Sequence, residues 1–442
     1  MPRDTGTTAK PKPKPKPARR AAAGPGPPPC AALAPRPWRP VRAVPAVLAA
    51  LAVLAVPAVL GLFPAPRHAA AAGPADPAPA APAGPGRCET SVPFVSGTEG
   101  YHGFRIPAVV RTGRVLVAFA EGRRDSFADH GDIDVVARRS PDGGCTWGPL
   151  RVVTDAGRDT AGNPTPAVHP LTGRITLLTC RNPSDSVLPR RVFVQHSDDA
   201  GATFSPAREI TGQVKPEGWQ WYATGPGHAL VLRHGPHPGR LLLPANHTYR
   251  APGGETRHGA HSLYSDDGGR TWHLGYLAQP PGDALRLSET ALAELPDGRI
   301  YAGARNQYGT SPATRAAALL APGGTALLTP FTPQPALRGP VVQAGLLHLD
   351  GPGLLIHSAP ADPRRRADLT LRISADQGRT WRDLSDPKRL PPGPAGYSDL
   401  VRLGRDTVGV LYETGRAASY ETLTFARVPI PAPGSVAGPA AP

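Results

Sequence analysis

From about residue 95 the chain is built of short apolar runs, rich in β-formers and separated by turn residues, and no stretch keeps the spacing of a long helix. The runs come in pairs. Pro107 to Gly122 reads strand, turn, strand around Thr112-Gly113-Arg114. The layout returns at Pro166 to Arg181 around Thr172-Gly173-Arg174 and at His228 to Asn246 around Pro238-Gly239-Arg240. It recurs at Glu289 to Arg305, at Gln343 to Ser358 and at Tyr397 to Glu413, six hairpins in all.

A second repeat lies between the hairpins. Ser140-Pro141-Asp142-Gly143-Gly144-Cys145-Thr146-Trp147 fits S-x-D-x-G-x-T-aromatic, as do the octapeptides starting at Ser197, Ser265 and Ser374. In such a turn Asp bonds the backbone ahead of it, Gly supplies a positive φ, Thr returns the chain to β geometry and the ring packs on the sheet. A faded copy stands at Ala321-Pro322-Gly323-Gly324-Thr325. A hairpin, a loop and a second hairpin turned by this motif form a four-stranded unit. Six units predict an all-β chain folded as a six-bladed β-propeller.

The layout also predicts where chemistry collects. In an antiparallel unit the start of the first strand and the end of the second share an edge, so residues that open and close the six hairpins meet on one face. The Asp-rich turns decorate the other. Arriving at the shared face are Arg105; Arg123 with a following loop that holds Asp125 and Asp129; Glu289 and Arg305; Arg364, Arg365, Arg366 and Asp368; and Tyr397 and Glu413. Convergent guanidinium forks suit a carboxylate ligand, and Glu413 beside them would hold an arginine in place before that ligand arrives.

Glycoside hydrolysis ordinarily uses two carboxylates. A sugar bearing a carboxylate on its anomeric carbon repels an anionic nucleophile, and a tyrosine avoids that repulsion. With an ordinary pKa of about 10, the tyrosine needs a base such as Glu289 and nearby arginines. Asp129, on the loop after the second strand, is placed to protonate the leaving oxygen and then activate water, with Asp125 as the competing acid.

Composition changes the picture mainly at the ends. The 58 prolines and 50 glycines are unevenly spread, and residues 1–72 carry eleven Lys/Arg against Asp4 alone. The remainder of a +15 chain is therefore only about +5, and the basic pI does not argue for nucleic acid. Ala43 to Phe63 is an uncharged run of 21 residues after Arg36, Arg39 and Arg42, followed by alanines, as in an export signal or an N-terminal anchor. Both readings put the body outside the cytoplasm, secreted or membrane-anchored. Cys88, Cys145 and Cys180 allow one disulfide with a spare thiol and fit no zinc spacing. The histidines between His228 and His261 lack a metal spacing and read as loop residues. Trp219, Trp221 and Tyr222 read equally as pocket lining or as packing, and Phe204 replaces Trp in the second turn.

Phe104-Arg105-Ile106-Pro107, the Asp-rich turns, Tyr222-Ala223-Thr224-Gly225-Pro226-Gly227-His228, Arg366-Ala367-Asp368-Leu369 and Gly396-Tyr397-Ser398-Asp399-Leu400 together resemble the exo-α-sialidases (neuraminidases). The resemblance implies an arginine triad of Arg105, Arg305 and Arg366 on the substrate carboxylate. It further implies Tyr397 as nucleophile, Glu289 as its base partner, Asp129 as acid/base, Glu413 steadying Arg105 and Arg123 as a further substrate contact. The expected organisation is a basic leader with a signal peptide or anchor (1–73), a Pro/Ala-rich linker (74–89), the catalytic propeller (90–430) and a flexible tail (431–442). The expected enzyme is a metal- and cofactor-independent monomer acting on sialylated glycoproteins, glycolipids or oligosaccharides. A sialoglycan-binding propeller without catalysis and a trans-sialidase are the alternatives.

Overall fold

A computed structural model describes residues 88–384 and 386–431, so the basic leader, nearly all of the 74–89 linker and the tail beyond Pro431 lie outside the described residues. The described chain is all-β and propeller-like: 25 strands and one four-residue helix, Thr211–Val214. Inner strands such as Gly103–Thr112 and Val115–Arg123 are buried on almost every position, because sheets pack against both of their faces.

The strands form up-and-down antiparallel meanders in three four-stranded sheets, one five-stranded sheet and one eight-stranded sheet. Within the largest, a single parallel bridge, Ile133 to Thr160, joins the Ile133–Ser140 and Thr160–Val168 strands. The third hairpin departs from the expected layout. Its first strand is split into Trp219–Thr224 and Leu230–Val231, both paired with Leu241–Arg250.

The last sheet borrows its outer strand from the other end of the chain. Thr90–Val95 pairs antiparallel with Thr422–Pro429, a contact that the hairpin pattern starting near residue 95 does not contain. A Cys88–Cys145 disulfide ties this strand to the first Asp-rich turn, and Trp147 Nε1 donates to Ser91 Oγ at 2.9 Å. Cys180 is left as a buried thiol.

The Asp-rich turns prove to be rivets between units. At Asp267 the carboxylate accepts from Ser265 Oγ at 2.8 Å, the Arg270 and Thr271 amides at 2.9 Å each, and Thr271 Oγ1 at 2.6 Å. Burial works against the charge, but these donors outweigh it and hold the carboxyl below the usual range. Gly269, at φ 89°, then lets the turn lie flat on the neighbouring unit. A Cβ on Gly144, Gly201, Gly269, Gly324 or Gly378 would stand 2.1 to 3.1 Å from Phe425, Val117, His196, Leu242 or Tyr301 respectively. Each neighbour belongs to the preceding unit, and Phe425, on the last strand, receives the turn of the first.

Asp267→Ala removes four acceptor contacts at such a rivet. The expected cost is about 1–2 kcal/mol, read as a thermal midpoint lower by a few degrees. An unchanged midpoint would contradict the riveting role. Phe204, in the second turn, packs edge-on to Phe119 with ring centroids 6.0 Å apart, so the Trp-to-Phe change there keeps the contact type.

Candidate active site

Five inner strands slip register near their N-terminal ends: between Arg105 and Ala108, Gly162 and Thr165, Trp219 and Tyr222, Leu287 and Thr290, and Ala395 and Ser398. A bulge adds a residue and re-aims the side chains around it. The consequence is one cavity of about 580 Å³ that takes Arg105, Asn163, Trp221, Glu289 and Tyr397 from these five strands. The Gly345–Leu349 strand keeps its register and contributes nothing to the cavity. Ile106 sits at φ 57°, costly for a β-branched residue by about 1–3 kcal/mol, and Asn163 at φ 53°. Strain at Ile106 is offset by its amide, which donates to Glu413 Oε1 at 3.1 Å.

Glu413 is fully buried and accepts four donors. Arg105 grips it with Nε at 3.0 Å and Nη2 at 3.3 Å, and the Tyr397 amide adds a bond at 3.0 Å. Burial disfavours the Arg105 cation, but Glu413, Tyr397 and Tyr420 outweigh it and push its pKa above the ordinary value. The carboxylate thus fixes the first arginine and the backbone of the tyrosine together.

Arg305 Nη1 donates to Glu289 Oε2 at 2.7 Å and to the Tyr397 hydroxyl at 3.1 Å. That hydroxyl in turn donates to Glu289 Oε1 in a very short bond. Burial first, then the Glu289 charge, raise the Tyr397 pKa well above its usual value, while Arg305 and Arg105 pull the other way. The site therefore holds a neutral tyrosine whose proton points at a carboxylate.

Arg366 arrives from the loop before the Leu369–Ser374 strand and lines the same cavity. It makes no ion pair among the described residues, and its Nη1 donates to the Tyr420 hydroxyl at 2.5 Å. Tyr420 also lies under Arg105, 4.2 Å from guanidinium carbon to ring centre. Arg105 is matched by Glu413 and Arg305 by Glu289, whereas Arg366 faces the cavity with no carboxylate at ion-pair distance among the described residues.

Asp129 stands at the mouth with 64% of its side chain exposed, 2.9 Å from Arg123 Nη2 and 3.9 Å from Arg105 Nη1. Its concave surroundings disfavour the charge, but Arg123 and Arg105 outweigh that, so its carboxyl sits below the usual range. Asp125 is exposed and outside the cavity. Asp132 and Asp134 bind Arg124, at 3.1 and 2.7 Å.

Arg123, expected as a further substrate contact, lies beneath the Asp129 loop. It is 1% exposed and does not line the cavity. Its fork is used up by Glu121 at 2.6 Å, by the Phe127 and Ala128 carbonyls, and by Asp129. A buried guanidinium needs that many acceptors, and here they are the loop that carries Asp129. Arg364 and Arg365 are exposed and also outside the cavity.

Of the three aromatics, Trp221 lines the cavity, Tyr222 is wholly buried, and Trp219 stacks on His247 at 3.5 Å. The histidines are not all loop residues as expected: His247, His258 and His261 sit on strands Leu241–Arg250 and Thr256–Ser265. His258 lines the cavity, and burial with Arg286 and Arg305 lowers its pKa. His228 meets Asp399 at 2.8 Å. Among the described residues no group of three or more His, Cys, Asp or Glu could hold a metal ion. Asn163, Asn246, Gln307 and Tyr420 line the cavity without having been singled out in the sequence.

Residues 113–410 match a family model described as a BNR repeat-like domain. The chain is 32% identical over 360 residues to a sialidase of Micromonospora viridifaciens, covering 75% of this chain but only 53% of that protein. It is 31% identical over 350 residues to an exo-alpha-sialidase of Aspergillus fumigatus, covering 71% of this chain and 79% of the relative. A solved Hadza microbial sialidase superposes with a TM-score of 0.65 at 26% identity, over 76% of this chain and 67% of the other. The chain belongs to the exo-α-sialidase family of glycoside hydrolases.

Proposed function

We propose that this protein is an exo-α-sialidase that releases terminal α-linked sialic acids from glycoproteins, glycolipids or oligosaccharides with retention at the anomeric carbon. The observation that carries this reading is the Tyr397 hydroxyl, hydrogen-bonded to Glu289 inside a cavity that also holds three arginines. Arg366, which has no ion-pair partner of its own among the described residues, draws the substrate carboxylate, which then bridges Arg105, Arg305 and Arg366. Asp129 gives its proton to the glycosidic oxygen as that bond to the anomeric carbon breaks. Tyr397 oxygen bonds to the same carbon while its proton passes to Glu289. In the second half Asp129, now a carboxylate, takes a proton from water, whose oxygen displaces Tyr397, and the phenol regains its proton from Glu289.

Arg123 positions Asp129 in this scheme rather than touching the sugar. Trp221, Asn246 and His258 supply the wall for the remaining substituents. We read the eight-stranded sheet as two blades joined at the single Ile133–Thr160 bridge, which makes a six-bladed propeller over residues 90–430. Export by a signal or anchor in residues 1–73 belongs to the same proposal, supported by the Cys88–Cys145 disulfide.

The direct test is incubation with 3′-sialyllactose, with and without excess free lactose. Free sialic acid in both arms is the expected result. Binding without release leaves a lectin, and sialic acid that reappears on labelled lactose leaves a transferase.

A further inference from the structure

Behind the Arg305–Glu289 pair lies a second, enclosed cavity bounded by Glu289, Tyr301, Arg305, Arg315, His357 and an apolar wall that includes Leu346. Its free volume is about 10 Å³, room for one small occupant. Its polar lining is short of acceptors. Arg315 is 3% exposed, and its Nη1 donates to the Val342 and Thr314 carbonyls while Nη2 has no partner. Arg305 Nε, the Tyr301 hydroxyl and both ring nitrogens of buried His357 are also without partners.

Charge points the same way. Arg305 is matched by Glu289, and nearby Arg372 by Asp383 at 2.8 Å. Arg315 makes no ion pair among the described residues, and an unmatched cation in a protein interior is strongly disfavoured. Burial, then the neighbouring Arg305, push its pKa down to about 9, which expresses that same lack of a counter-charge. A neutral water does not repair this. It brings two hydrogens of its own, which would compete for one nitrogen of neutral His357, the Tyr301 hydroxyl oxygen and Glu289, whose oxygens already hold Tyr397 and Arg305, and it supplies no negative charge.

We propose that this cavity is a binding site for one small monovalent anion of the halide class, held by Arg315 with His357 and Tyr301 behind Arg305. A halide accepts from several donors at once, makes no directional demand and supplies the missing negative charge. It differs from the substrate site in position and in residues, Arg305 and Glu289 forming the wall between the two. The bound ion stabilises the fold and keeps Arg315 from repelling Arg305.

Crystals of the full chain grown in sodium bromide test this by anomalous scattering. The expected result is a peak between Arg315 and His357 that is absent from Arg315→Met. In solution, chloride or bromide should raise the thermal midpoint saturably, by about 3 °C over gluconate at equal ionic strength, and do nothing for Arg315→Met. Water density in the cavity, bromide only at Arg105, Arg305 and Arg366, or a midpoint indifferent to the halide would each overturn the proposal. If Arg315→Met does not fold, the wild-type bromide map alone decides. None of these readouts depends on turnover, so loss of the halide site and loss of the sialidase reading are separately visible.

Discussion

Tyr397→Phe should lower steady turnover of a sialoside at least about 10³-fold while leaving the fold and the binding of sialic acid intact. The substitution removes one oxygen. The ring remains packed against Ile106 and Val342, and the backbone amide keeps its bond to Glu413. Arg105, Arg305 and Arg366 keep their forks for the substrate carboxylate, so the affinity of a sialic-acid analogue should change by only a few-fold. What disappears is the atom that bonds to the anomeric carbon, together with the proton that Glu289 is placed to accept. Turnover near wild type in this variant would sink the nucleophile assignment. A variant that also loses analogue binding would assign Tyr397 to holding the arginines.

Asp129→Asn should show a loss that depends on the leaving group. On a sialoside whose leaving group is a sugar, proton donation is needed and the expected loss is about 10²–10⁴-fold. On an activated aryl sialoside, whose leaving group departs as a stable phenolate, the loss of the first step should be under about 10-fold. The acid acts only when protonated, and Arg123 and Arg105 hold Asp129 below the usual carboxylate range in the free enzyme. The sign follows: kcat/KM for the sugar leaving group should rise as pH falls towards that pKa, and the aryl substrate should follow this rise less. The same depressed pKa contributes stability that is present at neutral pH and lost as pH falls through it. Equal losses on both substrates would remove Asp129 as the acid and return the question to the exposed Asp125.

Turn chemistry was the most legible part of the chain because it is local. Ser, Asp, Gly and Thr within eight residues determine the rivet, and the hairpin signals around Gly113 and Gly173 place strand pairs. Placing Arg105, Glu289, Arg305 and Tyr397 at one edge followed from strand direction alone. The structure brings all four into one cavity with Asp129 and Arg366.

What could not be read depended on distant pairing or on direction. The Thr90–Val95 strand finds its partner over 300 residues away, and no periodicity records that. The bulge that turns Arg105 inward is a one-residue slip in register, invisible without the facing strand. Arg123 lies next to the site in sequence, yet its fork turns under the Asp129 loop, where Glu121 and two carbonyls await it. His247 and His261 look polar enough for a loop but are buried on adjacent strands, 3.1 Å apart between ring nitrogens. Tyr420 reaches Arg105 and Arg366 from a loop with no pattern to announce it.

The central claim is a double displacement through Tyr397, and the configuration of the first product formed tests it most directly. Cleavage of a sialoside followed by proton NMR from the first minutes should show the α-anomer of free sialic acid appearing before mutarotation produces the β-anomer. The β-anomer formed first would mean a single displacement by water and would contradict the account.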